Sequence, residues 1–99
     1  MDINKLMQQA QVMQKQLEDA SKQLSNTEFE GSASNGLVKV KCNGDYKVLN
    51  VSIDESILNK DDKEMIEELV VIAINDAVSK IDASKKEKFG YLAGGLGIK

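Results

Sequence analysis

The sequence predicts an α+β fold ordered helix, three-stranded antiparallel meander, helix, and three observations carry that prediction. Two Asn-Gly dipeptides, Asn35-Gly36 and Asn43-Gly44, bracket one alternating strand. Asn-Gly suits the tight hairpin turn whose central residues need positive φ, so a pair of them implies three antiparallel strands. A long stretch with helical apolar spacing lies on either side. At 99 residues the chain reads as a single domain, residues 1–99.

The first helix is expected over residues 3–25. Its apolar residues are Ile3, Leu6, Ala10, Met13, Leu17, Ala20 and Leu24. The intervals alternate three and four, as in a coiled-coil seam, and Met7 widens it slightly. The opposite face carries Lys5, Gln8, Gln11, Lys15, Asp19 and Lys22. Asp2 or Asn4 is placed to cap the start. A helix of ~23 residues is about 35 Å long at 1.5 Å per residue. A compact domain of about 100 residues has a radius of gyration near ~13 Å. The helix should therefore overhang its own domain, with a seam that needs another helix or another subunit.

Of the three strands, residues 27–33 form the weakest, with Phe29, Gly31 and Ala33 on one face. The second places Val38, Val40 and Cys42 on one face and Lys39 and Lys41 on the other. The third runs about Tyr46 to Ile53 and changes phase, with Tyr46 and Val48 on one face and Leu49, Val51 and Ile53 on the other. A bulge near Val48 explains the change, and so does burial of the sheet on both faces.

The second helix is expected from about Asp61 to Lys88. Acidic residues Asp61, Asp62 and Glu64 suit its start, Lys85, Lys86 and Lys88 suit its end, and Gly90 suits its stop. Its stripe is Ile66, Leu69, Val70, Ala73, Ala77 and Ile81. Leu69 to Ile74 is nonetheless an unbroken apolar run, and Val71, Ile72 and Val78 fall off the stripe. A helix facing water would not carry them. It is read as buried twice, against its own sheet and against a second subunit, with Leu69, Val71, Ile72, Ile74 and Val78 as candidate dimer-interface residues. Asp76 falls beside Leu69 and Ile72, where a carboxylate needs a hydrogen-bond partner on a strand or on the other subunit. The Gly-rich stretch from Gly90 to Lys99 is expected to be loose.

Composition narrows the function classes. There is no His, which removes the usual general base and metal ligand. No nucleophile elbow or phosphate loop is present. The acidic group Asp61, Asp62, Glu64, Glu67 and Glu68 lacks the spacing and turn glycine of a calcium loop. No enzyme activity, cofactor, metal site or small-molecule substrate is expected. The lone Cys42 reads as a small buried hydrophobe and fits a reducing cytoplasm. No apolar run approaches the ~18 residues of a membrane span, and the Gln-rich N-terminus does not resemble a signal peptide.

The formal charge is −3, from 13 basic and 16 acidic residues, and every basic residue is Lys. The lack of Arg argues against bidentate guanidinium recognition of phosphate or guanine. Residues 54–79 hold 2 Lys against 8 acids, whereas residues 80–99 hold 5 Lys against 2 acids. A local basic patch is therefore possible on an acidic protein. Two Lys groups are candidates for phosphate contacts: Lys5, Lys15 and Lys22 with Gln8 and Gln11 on the first helix, and Lys85, Lys86 and Lys88 with Lys80 and Lys99 toward the other end. A symmetric dimer would double each group.

Four blocks together resemble the YbaB/EbfC family of bacterial nucleoid-associated proteins. They are Leu6-Met7-Gln8-Gln9-Ala10-Gln11-Val12-Met13-Gln14; Gly36-Leu37-Val38-Lys39-Val40 with Asn43-Gly44 and Val51-Ser52-Ile53-Asp54; Glu68-Leu69-Val70-Val71-Ile72-Ala73-Ile74-Asn75-Asp76-Ala77; and the Gly-Gly-Leu-Gly tail. The resemblance spans essentially the whole chain. It implies a tweezer-like homodimer with projecting helical arms, binding to double-stranded DNA in the bacterial cytoplasm and nucleoid, and an influence on transcription or recombination. Recombination or replication proteins are further expected partners. The family offers no sharp DNA-contact signature, so the Lys and Gln residues above are chosen from charge and arm location. The alternative is a protein–protein adaptor for replication or recombination machinery, using the acidic helix start and the apolar seam.

Overall fold

The computed structural model describes residues 2–95. Its order is α1 (Ile3–Ser25), β1 (Glu28–Ala33), β2 (Val38–Asn43), β3 (Val48–Ile53), two short 3-10 turns (Glu55–Ile57 and Lys60–Asp62) and α2 (Lys63–Gly95). The strands form one antiparallel sheet in the order β1-β2-β3. The expected helix–meander–helix architecture is observed.

The molecule measures 71 × 24 × 16 Å with a radius of gyration of 19.4 Å. A compact chain of about this length would give ~13 Å, so α1 does overhang. Asp2 caps it, its side chain accepting from the Asn4 N–H at 3.1 Å. Leu24 is its one buried residue.

The core lies between α2 and two of the three strands. Alternation in β2 turns Val38, Val40 and Cys42 inward, and Ala33 joins them from β1. From α2, Leu69, Ala73, Ala77 and Ile81 complete the layer, closed at one end by Ile57. The small residues let the helix sit low on the sheet. A Cβ on Gly31 would overlap the Ala73 carbonyl oxygen and the Ala77 backbone nitrogen, so β1 touches α2 backbone to backbone.

Both hairpin connections differ from simple two-residue Asn-Gly turns. In the first, Ser34, Asn35 and Gly36 all have positive φ, and the Gly36 and Leu37 N–H groups donate to Ala33 and Ser34 carbonyls. The loop is thus four residues, 34–37. In the second, Asn43 and Lys47 close a three-residue loop in which Tyr46, not Gly44, has positive φ. This is a type I turn followed by a left-handed residue. Gly44 serves instead for close approach: a Cβ there would overlap the Leu24 carbonyl oxygen, to which the Gly44 N–H donates.

The phase change in β3 is a bulge. Lys41 pairs with Asn50 and Cys42 with Val48, leaving Leu49 as the extra residue. Val48, Val51 and Ile53 therefore share the helix-facing side, which corrects the grouping of Leu49 with Val51 and Ile53. Double-sided burial does not occur within this chain, because β3 is exposed apart from a half-buried Ile53.

Gly90 does not stop α2, which continues to Gly95. A single Gly within a helix costs about 1 kcal/mol relative to Ala, too little to end a helix of 33 residues. The tail beginning at Gly90 is therefore helical as far as Gly95; Leu96, Gly97, Ile98 and Lys99 lie outside the described residues.

Candidate nucleic-acid interface

Of the α1 candidates, Lys5, Gln8, Gln11, Lys15 and Lys22 are all exposed. The helix divides them between two shallow grooves. Lys5 and Gln8 line one with Gln9, Val12, Met13 and Gln16. Gln11, Lys15 and Lys22 line the other with Gln14, Glu18 and Asp19. Glu18 and Asp19 sit among those lysines, and with Asp2 they leave residues 1–25 with three Lys and three acids. The first arm is electrically neutral, so its contacts to a polyanion would be local.

The second candidate group differs. Ile81 is the last core residue of α2, and residues 82–95 continue beyond it. Lys86 is exposed, whereas Lys85 and Lys88 are half-buried. Lys85 and Lys86 border a groove with Asp82, Phe89 and Gly90. The Lys85 ammonium lies 4.1 Å from the Tyr46 ring centroid, a cation–π contact. The Tyr46 hydroxyl donates to Asp82. These contacts hold an aromatic residue in the left-handed conformation, which non-glycine residues rarely adopt. The Tyr46–Asp82–Lys85 cluster could not be read from sequence, because the residue types preferred at that φ are Gly and Asn.

Lys80 leaves the candidate list. Its ammonium donates to the Glu30 carbonyl at 2.7 Å and lies 3.4 Å from Asp76. Asp76 in turn accepts from the Ser32 N–H at 3.0 Å. The strand partner expected for Asp76 is thus β1. Its carboxyl is held below the usual carboxylate range, first by the Ser32 N–H and, more weakly, by the Lys80 charge, with desolvation opposing. Asp54 is likewise lowered by the Ser56 N–H, a turn-capping bond. On the outer sheet face, Lys39 stands between Ser32 and Ser52, and Lys41 between Glu30 and Asn50. Both are exposed.

The candidate interface residues of α2 separate by burial. Leu69 belongs to the chain's own core, and Ile74 packs against that core. Val78 is half-buried, whereas Val71 and Ile72 are 56% and 53% exposed. Asp76 and Lys80 bond to β1, while Asp82 and Lys85 meet Tyr46 just before β3. At 100° per residue, Ile74, Val78 and Val71 therefore fall toward the β3 side and the back of α2. Beside them Val48 and Val51 face the helix side of the sheet, paired with buried Cys42 and Val40, yet remain 47% and 42% exposed. α2 covers β1 and β2 and leaves β3 open. The exposed apolar side of β3 was missed because alternation shows which residues share a face, not whether a helix covers it.

Among the described residues, no group of three or more His, Cys, Asp or Glu is placed to hold a metal ion. Among the same residues, no helix is long and apolar enough to cross a membrane.

The family model described as the YbaB/EbfC DNA-binding family matches residues 1–96. A nucleoid-associated protein of Rickettsia bellii (strain RML369-C) is 38% identical over 97 residues, covering 98% of this chain and 91% of its own. Another nucleoid-associated protein, from Rickettsia bellii (strain OSU 85-389), is 37% identical with the same coverage. The crystal structure of the uncharacterized protein HP0035 from Helicobacter pylori is similar with a TM-score of 0.75 and 25% identity, covering 97% of each chain.

Proposed function

This chain belongs to the YbaB/EbfC DNA-binding family, and we propose that it is a nucleoid-associated protein that binds double-stranded DNA as a homodimer. It acts in the bacterial cytoplasm, organises the nucleoid with little sequence specificity, and influences gene expression or recombination. One observation carries this reading beyond the family: the lysines of an acidic protein gather on the part of α2 that extends past its core. Residues 82–90 hold three Lys against two acids, while the acid-rich start of the same helix lies at its other end. Ammonium groups there meet phosphates and release counterions, which gives affinity without base reading. Gln8 and Gln11 on α1 add amide hydrogen bonds, and Lys5, Lys15 and Lys22 add local charge.

The homodimer reading is supported by the open face of β3 and the apolar back of α2. Val48, Val51, Val71 and Val78 form the surface that a second copy would cover, with Ile74 at its margin; Leu69 lies on the other side of α2, in the chain's own core. Ile72 lies on the opposite flank of α2 and joins only if the partner wraps the helix. A two-fold pair would double every lysine group.

Fluorescence anisotropy of a labelled duplex across a salt series tests the DNA reading. Binding should weaken steeply with salt, and each lost phosphate contact should lower the log–log slope by about 0.9. Replacing Lys85, Lys86 and Lys88 together by Ala should weaken binding and flatten the slope. Lys86→Ala alone should do more than Lys85→Ala, because Lys85 is engaged by Tyr46. An unchanged affinity and slope in the triple variant would remove α2 from the interface. The adaptor reading has one observation in its favour: Leu58, 60% exposed, lines a largely apolar groove with Ile66 at the start of α2, edged by Lys60, Lys63 and Glu67. Protein partners retained after nuclease treatment, with no duplex binding at low salt, would favour it.

A further inference from the structure

We propose that the apolar seam of α1 is covered by the α1 helix of a second copy, running antiparallel, so that the arms join one protein unit to the next. The seam is open in the single chain. Ile3 is 71% exposed and Leu6 48%, and exposure falls along the helix until Leu24 is buried at its base. α2 makes little contact with α1, so the chain does not cover the seam itself.

The sequence of the seam specifies a helical occupant. Ile3, Ala10, Leu17 and Leu24 occupy one core position of a heptad, and Leu6, Met13 and Ala20 the other. The residues flanking a heptad seam decide which partner it accepts. Here they are Met7, Gln14 and Ser21 on one side and Gln9, Gln16 and Gln23 on the other. None is charged, so identical helices meet without like-charge repulsion. The charged residues Lys5, Lys15, Glu18, Asp19 and Lys22 all take the remaining, outward positions. A paired arm would keep its lysines free for phosphate.

Large and small side chains set the orientation. Antiparallel pairing matches Ile3 with Ala20, Leu6 with Leu17 and Ala10 with Met13, so each Ala faces a larger residue. Parallel in-register pairing would set Ala10 against Ala10 and Ala20 against Ala20, leaving voids, and would force two sheet bodies side by side at Leu24. Interdigitating layers without voids favour the first.

The inference stands apart from the DNA contacts and from the α2–β3 surface, and its test separates them. Sedimentation velocity of the full chain over a concentration series should show reversible species larger than a dimer. Leu6→Gln with Leu17→Gln should abolish these species while circular dichroism, duplex affinity at dilute concentration and the dimer are kept. Val51→Lys with Val71→Lys should instead remove the α2–β3 contact and leave dimers joined by their arms. Oxidation of a mixture of Gln9→Cys and Gln16→Cys chains should give mainly the mixed disulfide. Identical sedimentation of the wild type and the seam variant would overturn the proposal. So would homodisulfides dominating the cross-linked mixture.

Discussion

α1 and α2 are both long helices with apolar residues at helical spacing, yet one is anchored along its first two-thirds and the other only at its last turn. The more regular seam is the less buried. α2 is irregularly apolar and holds the core through Leu69, Ala73, Ala77 and Ile81, whereas α1 repeats its seam cleanly and buries Leu24 alone. The difference lies in the opposing surface. β1 presents Gly31 and Ala33 toward α2, so the helix can lie at backbone distance there, and α2 uses Ala73 and Ala77 to do so. α1 leaves the body end-on, so only its base can touch. Periodicity shows that a face wants a partner, and chain geometry decides whether that partner is in the same molecule.

The largest effect is expected where α2 rests on β1. Gly31→Val should destabilise the chain by about 3 kcal/mol or more, the upper end for overpacking, because the new side chain meets α2 backbone rather than a movable side chain. Urea denaturation followed by circular dichroism measures it. Gly90→Ala is the control: a Cβ there meets nothing within 4 Å. It should stabilise α2 by up to about 1 kcal/mol. Equal effects at the two glycines would mean that α2 does not rest on β1 as described.

A smaller effect is expected at the Asp76 clamp, which ties α2 to the backbone of β1. Its folded pKa is lowered, while an unfolded Asp titrates near ~3.9. The clamp is therefore fully present above about pH 4 and is lost as pH falls through the folded pKa. Asp76→Asn keeps an oxygen for Ser32 but removes the charge facing Lys80. The variant should melt below wild type at neutral pH, and the gap should close as pH falls below about 4. A gap that stays constant across thermal melts at each pH would assign the clamp to packing rather than charge.

Much of this was legible in the residues. The seam from Ile3 to Leu24, the inward set Val38, Val40 and Cys42, and the need of Asp76 for a strand partner all follow from spacing and polarity. Other features depend on where elements meet in space. Gly44 looked like a turn residue and is a contact residue, because Leu24 passes beside it. Tyr46 took the left-handed position because Asp82 and Lys85 hold its ring and hydroxyl. The phosphate-contact candidates were legible as a list of lysines but not as a surface: Lys80 is spent on Glu30 and Asp76, and Lys85 is parked on Tyr46. The Asp76–Lys80 pair, four residues apart on one helix, is readable from spacing; the Glu30 and Tyr46 engagements leave no trace in local sequence.

The smallest effect should come from α1, and its size is what separates the two helices. Leu6→Ala removes a large apolar side chain from the cleanest heptad in the chain. Were Leu6 buried as Ile81 is, the loss would be about 2–5 kcal/mol. Leu6 is 48% exposed and Ile81 0%, so at dilution Leu6→Ala should cost within about 0.5 kcal/mol, as at an ordinary surface site, while Ile81→Ala should cost the full amount. The ratio must depend on concentration if the seam finds a partner in solution. Denaturation midpoints of wild type and Leu6→Ala should coincide at micromolar chain and separate as concentration rises, whereas the Ile81→Ala deficit should persist throughout. A large Leu6→Ala deficit at the lowest concentration would mean that α1 folds back onto its own chain, and the contrast between the two helices would then be one of degree.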